Sequence, residues 1–364
     1  MKQGPQQYLH LFADCRIVKG HGRAIIADLT RCNYHFIPND LADILEEYHH
    51  RPVGDLLDAC GPDNADTVNE YLLFLQRHEL ICLLDEDELT LYPELDTSWE
   101  VPASITHASM DVLALPNRDT TKVLEQLEAT GCRALLVYSF TIQPINKLKP
   151  LLEALKDRAF LVQWISPYQP ELFSHLLEVE DTLGTFSRLI LYRAPMREVF
   201  HTRIVLDEGN FSFSSSPKLI NPIHATYVES LEHNLYFNRR IWVDAAGRIW
   251  PGYGSTHSIG TLEKGFQEAT LHPYFKSLAK AHKGNTEVCR DCEFRSICFD
   301  SREPRQRSNG TWYHSTECGY NPYISKWSDE PGYQPIHACG STGKQGFEPN
   351  SVTIDALNQE LWTS

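Results

Sequence analysis

Three short runs rich in β-branched and aromatic residues open the chain: Cys15–Gly20 (CRIVKG), Ala24–Leu29 (AIIADL) and Tyr34–Pro38 (YHFIP). Turn signals at His21–Gly22 and Arg31–Asn33 separate them, so three strands are predicted. The hydrophobic period then changes. Asn39 or Asp40 can cap a helix through about Tyr48, and a shorter helix covers Gly54–Ala59. Asp63 or Asn64 can cap a third, in which Val68, Tyr71, Leu72 and Leu75 share one face at i, i+3, i+4 and i+7. A second hairpin, ICLLDEDELTLY, is expected to close this unit, with its acidic tip a solvated turn.

Residues 96–101 (DTSWEV), ahead of Pro102, read as a linker. From 103 to 205 strand-like runs alternate with amphipathic helices: SMDVLALP, TTKVLEQLEATG, RALLVYSF, NKLKPLLEALKD, AFLVQWIS, PELFSHLLEVE and SRLILYRA. Apolar runs between such helices predict βαβ units on a parallel sheet, as a half-barrel or an open sheet. No G-x-G-x-x-G follows any of these strands. His107 and His175 have no partner at a readable spacing, so no catalytic residue is assigned.

With 364 residues, 42% hydrophobic and 22% charged, the chain has material for two or three globular domains. No apolar run approaches the ~18 residues of a membrane span. The opening MKQGPQQYLHLF lacks a signal-peptide core, and a cytoplasmic protein is expected. A net charge of −15 without a dense basic patch argues against nucleic acid as a partner.

Ten cysteines sharpen the picture, because a reducing compartment does not favour structural disulfides. Cys15, Cys32, Cys60, Cys82 and Cys132 are scattered and read as small buried hydrophobes. VCRDCEFRSICFDSREP instead spaces Cys289, Cys292 and Cys298 as C-x2-C-x5-C, and Cys318 follows in WYHSTECGYNPY. A C-x2-C turn brings two sulfurs to one metal centre, and two more complete a set suited to Zn²⁺ or to an iron–sulfur cluster. Cys339, His314 and His337 are alternative ligands. Tyr320, Tyr323, Trp312 and Trp327 are expected to pack round the site and exclude water.

The three-strand, three-helix order, with AIIADL and YHFIP, resembles the RiPP recognition element, a winged-helix-like domain that binds leaders of ribosomally made, modified peptides. That resemblance implies a leader adding as a strand beside Tyr34, His35, Phe36 and Ile37, its side chains against Val68, Tyr71, Leu72 and Leu75 of the third helix. The βα region resembles the partial barrel of radical SAM enzymes, but no C-x3-C-x2-C occurs, so ordinary radical SAM chemistry is not expected.

The C-terminal third is similar to a SPASM domain. The resemblance implies one auxiliary [4Fe–4S] cluster on Cys289, Cys292, Cys298 and Cys318. The ligands of a second cluster are missing: Arg302 stands in the run, and Gly252, Tyr253 and Gly254 stand upstream. NLYFNRRIWVDAAGRIW, CRDCEFRSICFDSR, ECGYNPYISKW and CGSTGKQGFEPNSVTIDALNQELW resemble the SPASM-domain peptide maturases of grasp-with-spasm systems. The expected architecture is therefore α+β and α/β multidomain. Residues 1–95 would form a peptide-recognition unit, 103–235 a degenerate partial (β/α) barrel and 236–364 a cluster domain. The implied partners are a precursor leader peptide and an ATP-grasp ligase, and the implied role is adaptor more than stand-alone enzyme. A redox or radical-type peptide-modifying enzyme and a structural zinc protein are the alternatives.

Overall fold

The structure is a computed structural model and describes residues 6–115, 118–156, 158–178, 186–200, 202–213 and 217–362. Near the N-terminus β1 (Tyr8–Leu11), β2 (Cys15–Lys19), β3 (Ala24–Asp28) and β4 (Asn33–Ile37) precede α1 (Asn39–Glu47), α2 (Val53–Cys60) and α3 (Ala65–Arg77). The strands β2, β3 and β4 form an antiparallel sheet in that order. Both faces of β3 are covered, which explains a strand that is apolar at nearly every position. Ala24 and Ile26 join the core of the three helices, whereas Ile25 and Ala27 pack with Tyr227, Phe294, Ile297 and Tyr320 from the C-terminal half.

The expected second hairpin is not formed. β5 (Ile81–Leu84) pairs antiparallel with β1, and Glu86–Leu91 is a 3₁₀ turn. Three consecutive acidic residues open that turn, where the unpaired backbone N–H groups favour negative charge. β1 itself carries no turn or alternation signal that would distinguish it, and it is recognisable only from its distant partner.

The βα alternation is realised. β6 (His107–Asp111), β7 (Ala134–Tyr138), β8 (Leu161–Pro167) and β9 (Phe186–Tyr192) are parallel neighbours, with α4 (Thr120–Glu128), α5 (Ile145–Leu155) and α6 (Pro170–Glu178) between them. β10 (Glu198–Phe200) and β11 (Ile204–Asp207) extend one edge. After β12 (Lys218–Leu219) and α7 (His224–Glu232), β13 (Arg240–Val243) joins β6 in parallel. β14 (Arg248–Trp250) and β15 (Gly260–Thr261) follow antiparallel. The result is an open nine-stranded mixed sheet, β10-β11-β9-β8-β7-β6-β13-β14-β15. The boundary expected at 235/236 thus falls inside one sheet.

Alternation decides which face of that sheet is which. Met110, Val137, Trp164 and Leu191 pack under the helices with Leu124, Leu152 and Leu172. Tyr138, Ile165, Tyr192 and Trp242 point the other way and meet Phe211 and Phe213. A cavity of about 450 Å³ lies on this second face, between Ser109, Leu136, Gln163 and Trp242 of the sheet and Tyr236 and Phe299.

Beyond α8 (Phe266–Leu271) and α9 (Pro273–Ala279) the elements become short: β16 (Cys298–Phe299), β17 (Pro304–Gln306), β18 (Trp312–His314), β19 (Tyr320–Asn321), β20 (Lys326–Trp327), β21 (Gly340–Gly343) and β22 (Gly346–Pro349), then α10 (Ser351–Trp362). Among the described residues no helix is long and apolar enough to cross a membrane.

Candidate metal centre

The cysteine loop begins with a strained turn. Val288 has φ 65° and ψ −45°, and the Cys289 N–H donates to the Glu287 carbonyl at 2.7 Å. This is a γ-turn centred on a β-branched residue, a conformation that costs on the order of 1–3 kcal/mol unless its surroundings hold it. Here the surroundings do so. Glu287 is buried and takes an ion pair from Arg307 at 2.5 Å, and the Phe347 N–H donates to it at 3.2 Å. Cys289–Asp291 then form one 3₁₀ turn, and the Cys292 N–H donates to the Cys289 carbonyl at 3.1 Å. Cys298 is fixed by pairing of β16 with β12, where it stands opposite Leu219.

Cys318 lies twenty positions further along, between β18 and β19, yet it returns to the other three. Cys289 and Cys318 line one cavity with Arg302 and His314. The thiols lie within electrostatic reach of one another: Cys289 with Cys318, Cys298 with both, and Cys292 with Cys289 and Cys298. Burial is the main reason the Cys289, Cys292 and Cys298 thiols are pushed up, Cys298 to about 12 and Cys292 well above the ordinary range. Metal-free, those three thiols would be neutral, and a bound metal would favour the thiolate.

Spacing separates two kinds of centre. Among the described residues, the one group of three or more ligand atoms all within 4.8 Å of one another is His10, His49 and His50, so no three of these four sulfurs meet that spacing. One tetrahedral Zn²⁺ with 2.3 Å bonds would draw sulfurs to about 3.8 Å. A cluster, in which each sulfur binds its own iron, holds them wider apart. The sulfurs as they stand are not drawn together as a single tetrahedral ion would require.

Buried charge surrounds the sulfurs. Lys283 and Asp300 are 5% and 1% exposed and form an ion pair. Arg302 grips the same carboxylate, Nη2 to Oδ2 at 2.8 Å and Nε to Oδ1 at 3.0 Å. Burial would raise the Asp300 carboxyl, but Lys283 and Arg302 hold it below the usual carboxylate range. Burial likewise opposes the Lys283 charge, and Cys289, Asp300 and Cys298 together outweigh it. His314 Nε2 sits 2.9 Å from Lys283 Nζ, and burial followed by that cation keeps its imidazole neutral. Arg302, which stands where a second cluster's ligand would be expected, thus places positive charge beside Cys289 and Cys318. The two cations exceed the one carboxylate and offset the anionic sulfurs of a loaded site.

Of the alternative ligands, His314 and His337 line the same cavity as Cys289 and Cys318. Cys339 is buried among Tyr323, Ile336 and Phe347, and its Sγ accepts from Asn321 Nδ2 at 3.2 Å. His337 is exposed on Glu317 at 2.8 Å. Of the aromatic residues, Tyr320 and Trp327 pack together at 4.8 Å beside Phe294, and Tyr323 is buried and donates to Asp291 at 2.8 Å. Trp312 is half-buried in β18.

The peptide-binding residues divide sharply. β4 is an edge strand among the described residues. Tyr34 and Phe36 each meet the ring of Phe294 edge-on at 5.8 Å, and the Arg23 guanidinium lies 3.7 Å over Phe36. On the other face His35 lies 4.5 Å from His78 and 6.2 Å from Phe74. Ile37, Val68, Leu72 and Leu75 are buried in the unit's own core, and Tyr71 is half-buried against it. The stripe at i, i+3, i+4 and i+7 faces inward, because that burial is what holds α3 to its sheet. Phe74 of α3 and His78, which follows the helix end, are therefore the residues presented beside His35, and a position adjoining the core stripe is the only sequence signal for them.

The two halves meet at the cysteine loop. Arg23, in the β2–β3 turn, pairs with the buried Glu293 at 2.8 Å, and Tyr320 donates to the same carboxylate. The His21 N–H donates to the Asp291 carbonyl at 2.7 Å, and Arg295 donates to the Lys19 carbonyl. Lys283, Asp300 and Glu293 carried no signal in the sequence, since charged residues at those spacings are ordinary. No protein-family model and no curated protein matches this chain.

Proposed function

We propose that this chain is a maturation factor for a ribosomally made peptide. The leader adds as a strand to β4, and Cys289, Cys292, Cys298 and Cys318 hold one [4Fe–4S] cluster. The chain then presents the peptide's core segment to an ATP-grasp ligase. The observation that carries this reading is the position of β4. Among the described residues its outer edge has no strand beside it, and alternate side chains rest on α3 and on Phe294, two residues after Cys292. An edge of this kind offers unpaired N–H and C=O groups to an extended peptide. The three strands and three helices support a winged-helix-like recognition unit. The βα sheet, without the three-cysteine motif, supports a partial barrel that has lost radical chemistry.

A cluster bound by four thiolates supplies structural cross-linking and a low-potential redox centre. The chain's own residues do the rest: Lys283 and Arg302 balance its charge, and Tyr320 and Trp327 with Phe294 exclude water. The cavity over the sheet reaches this region through Phe299, the residue after Cys298, and offers room for the core segment.

A fluorescently labelled leader of the precursor made in the same cell is expected to bind the anaerobically prepared chain. His35→Ala with Phe74→Ala should weaken binding tenfold or more, about 1.4 kcal/mol. Leu72→Asp is unsuitable, because it would break the unit's core. Absence of leader binding to the unaltered chain, measured by anisotropy, would contradict the adaptor role.

A further inference from the structure

A second, independent metal-ligand cluster sits in the N-terminal unit. His10 lies on β1, 3% exposed, opposite Cys82 of β5. The segment after α1 runs along the other edge of β1, with the His50 N–H donating to the Leu9 carbonyl at 2.7 Å and the Leu9 N–H to the Arg51 carbonyl at 2.9 Å. This brings His49 and His50 against His10, with ring centroids 3.9 Å (His49–His50), 5.0 Å (His10–His50) and 5.3 Å (His10–His49) apart. One nitrogen from each lies within 4.8 Å of the others.

Packing alone does not satisfy this trio. His10 Nδ1 and His50 Nε2 are 2.8 Å apart, while His10 Nε2 is buried with no partner. His50 is held at φ 60°, a conformation a non-glycine residue rarely adopts, so backbone strain is spent on placing its ring. Burial and the neighbouring imidazoles push His10 down and His49 down to about 4, so both are neutral and ligand-competent at neutral pH. A cavity of about 280 Å³ is lined by His10 and His49, with Glu94 also on its wall.

We propose that His10, His49 and His50 hold one divalent ion of the Zn²⁺ class, with Glu94 of the adjoining cavity moving in as the fourth ligand. Imidazole nitrogens with one carboxylate are the donor set such ions prefer. Bonds of 2.0–2.1 Å require nitrogens about 3.4 Å apart, which small ring rotations supply from the present spacing. His49 Nδ1, which now accepts from the Leu11 N–H at 3.2 Å, exchanges that bond for the metal. The bound ion ties β1 to the α1–α2 connection.

Tag-free full-length chain with its cysteine centre filled is titrated with Co²⁺ and then displaced with Zn²⁺. The expected signal is about one equivalent of Co²⁺ showing d–d bands without thiolate-to-cobalt charge transfer. His50→Gly removes a ligand while relieving the positive φ, so folding is preserved and binding should fall at least a hundredfold. Glu94→Gln, at the surface, should weaken it about tenfold. Thiolate-type bands only in the unaltered chain, or unchanged affinity in His50→Gly, would overturn the assignment.

Discussion

Cys292→Ser is expected to abolish metal loading and to unfold the region from about residue 283 onward, seen as loss of iron, soluble yield and the cooperative melting transition. The size of the effect follows from how little else holds this region. Its strands from β16 to β20 are two or three residues long, too short to be stable alone. It buries Lys283, Glu287, Glu293 and Asp300, all of which carry desolvation costs. Metal binding to structural thiolate sites contributes roughly 10–16 kcal/mol, so a variant that no longer loads the metal loses free energy comparable to the stability of an ordinary domain, about 5–15 kcal/mol. Cys339→Ser is the control. That sulfur is buried among Tyr323, Ile336 and Phe347 and accepts from Asn321, and its replacement should cost about 1 kcal/mol while iron content stays unchanged. Iron retained in Cys292→Ser, or lost in Cys339→Ser, would show that the ligand set is misassigned.

Asp300→Ala is expected to cost about 3–5 kcal/mol, read as a lowered denaturation midpoint of the anaerobically prepared chain. The carboxylate is wholly buried and is shared by Lys283 and Arg302, themselves nearly buried. Its removal leaves two cations without an anionic partner beyond the sulfurs. It also strips the acceptor of the Arg302 N–H, which donates at 3.0 Å and turns the chain toward β17. Asp300→Asn keeps the shape and part of the hydrogen bonding, so it should lie between. A cost below about 1 kcal/mol for the alanine variant would mean that the ion cluster is solvated and does not support the cysteine loop.

The chain's alternation of period made the βα sheet legible, because strands such as RALLVYSF are buried on both faces and carry that burden in their composition. The cysteine spacing marks a candidate ligand set for a chemical reason: four thiols at that spacing have few other uses. Elements defined by a distant partner were not legible. β1 and β5 pair across some seventy residues, and ICLLDEDELTLY read as a hairpin because a local turn can be seen in sequence and a distant strand cannot. Val68, Leu72 and Leu75 were found correctly as one helical face but assigned outward, since periodicity gives the stripe and not what covers it. The same limit hid His10, His49 and His50: a His-His pair and a lone histidine forty positions away form a cluster only when the segment after α1 lies along β1.

The most direct test of the central claim is iron and acid-labile sulfide analysis of chain prepared without oxygen. About four iron and about four sulfide per chain, both lost in Cys298→Ser, is the predicted result. About one zinc at the cysteines with no sulfide, or four free thiols and no metal, would contradict it.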